Sequence, residues 1–386
     1  MAAPNRSQLM IDPVALSSEL IRAPSVTPAD AGAMDIVERA LTGLGFACRR
    51  MRFGEIENLY ARRGTKGPNL CFAGHTDVVP PGDTEAWRHS PFSGLVKDGE
   101  LHGRGASDMK SAIACFIAAA SRAGDVRGSL SLLITGDEEG VAEDGTKAVV
   151  AALTAEGEAI DHCLVGEPTS VMHLGDMVKI GRRGSVNAEI VVRGVQGHVG
   201  YPERAANPAP VLVRLLAALD VRRLDEGYTG FQPSNLEITS IDIGNPATNV
   251  IPAEARARLN IRFNPAHTGA SLAQWFQDEA RRAGEGFAGE VRLTSRISGE
   301  AFLTEPGEFT ALVARTVEAA TGVAPELSTA GGTSDARFIR ALCPVVEFGL
   351  VGATMHKVDE RVSVADIERL TVVYEQLIGE YFEAFG

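Results

Sequence analysis

Five side chains in this sequence have the chemistry of metal ligands, and they stand at the ends of short apolar runs or in the loops beside them. His75 lies in Gly74-His75-Thr76-Asp77, Asp108 in the glycine-flanked stretch Gly103 to Lys110, and Glu139 in Gly136-Asp137-Glu138-Glu139-Gly140. Glu167 lies in Val165-Gly166-Glu167-Pro168-Thr169 and His356 in Thr354-Met355-His356-Lys357. Taken singly each has an ordinary explanation: a core histidine, a helix-capping aspartate, a surface acid. Together they do not. Three consecutive acids directly behind a buried strand repel one another unless a cation neutralises them. Adjacent glutamates also permit a division of labour in which Glu139 binds metal and Glu138 takes a proton from water. Asp77, two residues beyond His75, is spaced to accept the second ring N–H and fix the tautomer. Mixed imidazole and carboxylate donors suit zinc, with cobalt or manganese as substitutes, whereas calcium asks for more oxygens. A two-metal site of this composition hydrolyses amides or esters.

The elements around these residues follow from hydrophobic periodicity. Apolar positions from Leu9 to Leu44 recur at helical spacing around a Pro-Ser-Val-Thr-Pro break, predicting two helices. Asn69–Gly74, Ser129–Gly136 and His162–Gly166 are short apolar runs suited to buried strands, with a helix after Met109 between the first two. That alternation predicts an α/β domain with a largely parallel sheet, whose carboxyl ends are where ligands bind. From Val186 the order changes to strand, helix, strand, strand, helix, strand, ending near Ile297, which is the βαββαβ order of a ferredoxin-like unit. Beyond it come a helix at Glu308–Thr321, a strand at Val345–Leu350 and a final helix at Val364–Ala384. The expected organisation is a discontinuous α/β domain of residues 1–183 and 297–386, interrupted by an inserted domain of residues 184–296. Glycine-containing joints at Gly181–Gly184 and near Gly299 suit hinges.

Composition narrows the class of partner. A chain of 386 residues is too long for one ordinary core, and a formal net charge of -13 without a Lys/Arg-rich run argues against nucleic acid and anionic membranes. Met1–Asp12 lacks the basic start and apolar centre of a signal peptide, and the longest apolar stretch, Ala112–Ala120, is too short to span a bilayer. Five dispersed cysteines without a CxxC pair read as reduced core thiols, which gives a cytoplasmic location as the expectation.

The chain resembles the M20 metallopeptidase-like amidohydrolases along nearly its whole length. The stretches that carry the resemblance include GHTDVVPPG (Gly74–Gly82), GRGASDMK (Gly103–Lys110), the acids Asp137–Glu139, GEPT (Gly166–Thr169) and NVIP (Asn249–Pro252). His102, Ser111 and Val141–Glu143 depart from the usual pattern, and none of them is a ligand. The resemblance implies a zinc-peptidase-like catalytic domain and a homodimer joined through the inserted domain. It makes Asp108 the bridging ligand, with His75 and Glu167 completing one zinc and Glu139 and His356 the other. Asp77 becomes the partner of His75, Glu138 the general acid/base, and His198 a donor to the oxyanion in the partner subunit. Three narrower motifs, GRRGS, QGHVGYP and GGTSDARF, imply the amide of N-succinyl-LL-2,6-diaminopimelate as substrate. Arg182, Ser185, Tyr201, Asn249, Arg262, Gly332, Thr333 and Ser334 are the implied substrate-binding residues. The alternatives are another deacylase of the same family, acting on acetylornithine or acylated amino acids, or a binding module that has lost catalysis. The presence of Glu138 beside all five ligands speaks against the latter.

Overall fold

In the computed structural model, residues 10–386 are described, so most of the stretch tested for a leader lies outside the described residues. The chain forms two compact units. The larger contains the chain up to Ile180 together with Thr304–Ser328 and Ser334–Gly386, and the smaller contains Gly181–Leu303 and Thr329–Thr333. In chain order the first elements are α1 (Pro13–Arg22), α2 (Ala33–Gly43), β1 (Ala47–Phe53), β2 (Ile56–Arg63), β3 (Asn69–His75), α3 (Ser111–Arg122), β4 (Ser129–Thr135), α4 (Thr146–Glu156), β5 (His162–Val165) and β6 (Met177–Lys179). Then follow β7 (Gly184–Arg193), α5 (Pro208–Asp220), β8 (Asn235–Asp242), β9 (Glu254–Phe263), α6 (Gly269–Gly284), β10 (Glu290–Gly299), α7 (Glu308–Thr321), β11 (Glu326–Ser328), β12 (Val345–Glu347) and α8 (Val364–Ala384).

The larger unit is built on an eight-stranded sheet in the order β1-β2-β4-β3-β5-β12-β6-β11. Its centre is parallel, with β3 flanked by β4 and β5 and β5 by β12, while β1, β2 and the β12–β6 junction are antiparallel. The sheet is therefore mixed. The β1–β2 hairpin was not legible because its outer strand carries Arg49, Arg50 and Arg52, charges that suit an edge and mask the period of a strand. Strands β3 and β4 are buried at every position, as both-face coverage requires. Helix α3, the apolar run noted in the sequence, is buried from Ser111 to Ala120 and packs against α1 and α8. Phe116 of α3 stacks on Phe72 of β3 with ring centroids 4.5 Å apart, and Tyr374 of α8 meets Phe72 edge-on at 5.7 Å. Lys110, just ahead of α3, is fully buried and donates to the carbonyls of Leu20 and Ala23 at 2.9 and 2.7 Å, at the carboxyl end of α1.

The smaller unit has the βαββαβ order, with its four strands arranged β8-β9-β7-β10 and every neighbouring pair antiparallel. Alternate residues Val186, Ile190 and Val192 of β7 meet Leu212 and Leu215 of α5 and Phe276 of α6 in one core. All five cysteines are free, and four of them, Cys71, Cys115, Cys163 and Cys343, are buried. Among the described residues no helix is long and apolar enough to cross a membrane.

Two strand-end glycines set how closely α3 approaches the sheet. A methyl group on Gly74 would lie 2.4 Å from Met109 Cε, and one on Gly166 would lie 2.4 Å from the Phe72 ring and 2.9 Å from Met109 Cε. The residues immediately after these glycines are His75 and Glu167, so space made for Met109 also fixes where two acid and base side chains emerge. Gly166→Ala should overpack this contact and cost ~1–3 kcal/mol. The measurement is the urea midpoint of the purified protein, and an unchanged midpoint would show that the contact has room to relax.

Candidate metal centre

Three adjacent parallel strands deliver the first acids and the first imidazole from their carboxyl ends. His75 is the last residue of β3, Glu138 and Glu139 follow β4, and Glu167 follows β5. Asp108 enters from the loop that leads into α3, in an extended conformation (φ -126°, ψ 98°). His356 enters from the loop after β12, with φ at 61°. A histidine there departs from the favoured backbone regions, at a cost of ~1–2 kcal/mol that packing around it must offset.

These side chains converge. Asp108 presents one oxygen to each imidazole: Oδ1 lies 3.2 Å from His75 Nε2 and Oδ2 lies 3.3 Å from His356 Nε2. Glu167 Oε1 is 3.8 Å from His75 Nε2 on one side, and Glu139 Oε1 is 2.8 Å from His356 Nε2 on the other. Ligand atoms of His75, Asp108 and Glu139 all lie within 4.8 Å of one another. Apart from His356, which is half-exposed, the cluster is buried or nearly so.

Protonation follows from this crowding. Burial alone would lower the proton affinity of His75, but the hydrogen bond and charge of Asp108 override it and hold the imidazole well above its ordinary range. Bonding to Asp108, and then to Glu139, pushes His356 up to about 10. Burial would raise Asp108, yet the two imidazoles keep it below the usual carboxylate range. Glu138 has no imidazole within hydrogen-bonding distance; burial, followed by the charge of Glu167, drives it well above a normal glutamate. The cluster thus demands positive charge at its centre. Divalent cations satisfy that demand with the donor set present, so the residues fit a metal.

Asp77 departs from its expected partner. The ring Nδ1 of His75 lies 2.9 Å from the backbone carbonyl of Asp77, and the carboxylate is farther, at 3.6 Å. That carboxylate instead accepts the backbone N–H groups of Glu138 and Glu139 at 3.2 and 3.0 Å and the hydroxyl of Thr27 at 2.7 Å. The reason is geometric: the turn after β3 points its own carbonyl at the ring, which frees the side chain to hold the turn after β4. Asp77 therefore positions His75 through its main chain and the acid pair through its side chain.

Most other expected residues lie in the smaller unit. His198 is exposed, its strand neighbour is Val250, and Tyr201 N–H donates to its carbonyl at 2.9 Å. Asn249 accepts from Val199 N–H at 3.1 Å, so His198, Tyr201 and Asn249 form one group. Ser185 and Arg262 face each other across β7 and β9, and Arg182 donates to the Gly332 carbonyl at 3.1 Å, beside Thr333. Burial, and then the charge of Arg183, lowers the proton affinity of Arg262. Ser334 belongs to the larger unit, is fully buried and donates to Glu347 at 2.7 Å. Asp335, the next residue, was not singled out from the sequence. It is buried, burial pushes it up to about 6, and its charge contributes to the high proton affinity of Glu138. The GGTSDARF motif contained it, but nothing in the spacing distinguished it from a helix-start aspartate.

Comparison with known proteins agrees with this geometry. Residues 71–380 match the family described as Peptidase family M20/M25/M40. The chain is 68% identical over 386 residues to succinyl-diaminopimelate desuccinylase of Caulobacter vibrioides (strain NA1000 / CB15N), covering 100% of both chains. It is 71% identical over 375 residues to the protein of that name from Phenylobacterium zucineum (strain HLK1), covering 96% of this chain and 99% of the relative. Among solved structures, an M20 family metallo-carboxypeptidase from Sulfolobus solfataricus superposes with a TM-score of 0.80 at 17% identity, covering 97% of this chain and 100% of that one. A tripeptidase from Staphylococcus aureus superposes with a TM-score of 0.79 at 18% identity, with the same coverage of 97% and 100%. The family match over residues 71–380, the shared fold and the full-length identity lead to one conclusion: the chain belongs to peptidase family M20/M25/M40.

Proposed function

We propose that this chain hydrolyses the amide bond of N-succinyl-LL-2,6-diaminopimelate to succinate and LL-2,6-diaminopimelate, using two zinc ions. The observation that carries the metal reading is Asp108, whose two oxygens each face a different imidazole, with one further glutamate beyond each. His75, Asp108 and Glu167 would hold one ion, and Asp108, Glu139 and His356 the other. Bound there, the ions supply Lewis acidity that polarises the scissile carbonyl and acidifies water. Glu138 takes the proton of the attacking water and returns it to the leaving amine nitrogen, a role suited to a buried carboxyl whose surroundings raise its proton affinity. Asp77 holds the backbone of Glu138 so that the carboxyl keeps its aim.

The substrate reading is supported by full-length identity to relatives bearing the desuccinylase name and by the cationic residues of the smaller unit. Arg182 and Arg262, with Ser185, Tyr201, Asn249, Gly332 and Thr333, offer guanidinium, hydroxyl and amide donors for a substrate rich in carboxylates. We also propose a homodimer through the smaller unit, in which His198 donates to the developing oxyanion of the partner subunit. Strand β8 is an edge of its sheet, and Ile241 on it is 57% exposed, while Val213 of α5 and Val221 just after it are 60% and 82% exposed. A cytoplasmic location follows from the biosynthetic reaction proposed.

Zinc-loaded protein should turn over succinyl-diaminopimelate in preference to acetylornithine in a side-by-side assay. Preference for acetylornithine would move the chain to another deacylase of the family. Glu138→Gln should keep its metal content and lose about 10²–10⁴-fold in kcat, and near-normal turnover by a metal-loaded variant would remove Glu138 from proton transfer.

A further inference from the structure

The loop that carries Asp108 is held by a charged pair that takes no direct part in ligation. Glu360 is fully buried, and its Oε1 accepts three backbone N–H groups of that loop: Gly105 at 3.1 Å, Ser107 at 3.0 Å and Asp108 itself at 3.2 Å. Its main-chain carbonyl accepts a fourth, from Gly103 at 2.9 Å. The other carboxylate oxygen, Oε2, accepts from Arg104 Nη1 at 2.6 Å, and Arg104 is nearly as buried. Arg104 then reaches out of the loop. It donates to the carbonyls of Lys357 at 3.3 Å, Pro80 at 3.4 Å and His356 at 3.5 Å, and its guanidinium lies 5.3 Å from the centre of the Trp87 ring.

One carboxylate therefore gathers the backbone of Asp108, and the guanidinium paired with it grips the backbone of His356. These two residues must keep a common spacing if a single ion is to lie between Asp108 Oδ2 and His356 Nε2, now 3.3 Å apart. An isolated buried ion pair is a poor source of stability, because desolvation offsets its attraction. What distinguishes this one is that, apart from the bond to the Pro80 carbonyl, its remaining hydrogen bonds end on the backbone of the two ligand loops. We propose that Glu360 and Arg104 are positioning residues for the metal centre, setting the Asp108–His356 separation and hence the affinity of the ion those two residues share. This rests on the reading of the cluster as a two-metal site.

Glutamine at 360 keeps the shape but cannot serve both sides: its amide group must face either the three N–H donors or the guanidinium, donor against donor. The experiment titrates zinc into the metal-free full-length chain by calorimetry, and cobalt with visible absorption as the readout of coordination geometry. Wild type should bind two ions. Glu360→Gln should weaken one of them by about 10–100-fold, the range for partners that orient metal ligands, with a changed cobalt spectrum. Arg104→Lys, which keeps the charge but not the fork, should act in the same direction and serves as the test if Glu360→Gln does not fold. Val373→Ala, a core truncation in α8, controls for general loss of stability and should bind both ions as wild type does. Wild-type affinity and an unchanged spectrum in the folded Glu360→Gln or Arg104→Lys variant would overturn the positioning role. Failure of the wild-type chain to bind any ion would instead overturn the metal-site reading, and this inference with it.

Discussion

The larger unit is organised around a concentration of buried negative charge that its own neutral groups cannot compensate. Asp108, Glu139, Glu167 and Glu138 share a space into which only two imidazoles bring the opposite sign. In a low-dielectric setting such repulsion dominates, and a stable arrangement needs cations at the centre. The carboxylates of Asp108 and Glu139 accordingly raise the proton affinity of the imidazoles beside them. The metal pair proposed here would meet the same need and leave Glu138 free for proton transfer.

The scaffold fixes this charge by ordinary packing. Parallel strands β4, β3 and β5 put their carboxyl ends side by side, and glycines at 74 and 166 let Met109 and α3 press close beneath. Backbone contacts then aim the side chains. Asp77 collects the N–H groups that follow β4, and Glu360 collects those that precede α3. Rigid sites are built this way, with the acids proposed to touch substrate or metal held through their backbone by a further layer of acids.

Residue type and position relative to apolar runs made the ligand set legible, since His75, Glu139 and Glu167 each follow a strand that reads as buried. The ferredoxin-like order of the smaller unit was equally plain, because its amphipathic strands and helices differ in period. What could not be read were contacts between residues remote in sequence. Glu360 lies 252 positions from Asp108, and no local pattern marks a glutamate that will spend its oxygens on backbone N–H groups. The carbonyl of Asp77 taking the place of its carboxylate against His75 likewise depends on how one turn closes. The buried hydrogen bond of Ser334 to Glu347 is likewise a contact that the motif around it does not reveal.

In the reaction proposed, the larger unit would hold the reacting charge, and Arg182, Arg262 and His198 of the smaller would serve an anionic substrate and the charge that develops during hydrolysis. The most direct test of the central claim is anomalous diffraction at the zinc edge from crystals of the zinc-loaded protein. Two peaks flanking the Asp108 carboxylate, one beside His75 and Glu167 and one beside Glu139 and His356, are the predicted result. Peaks elsewhere, or none near Asp108, would contradict it.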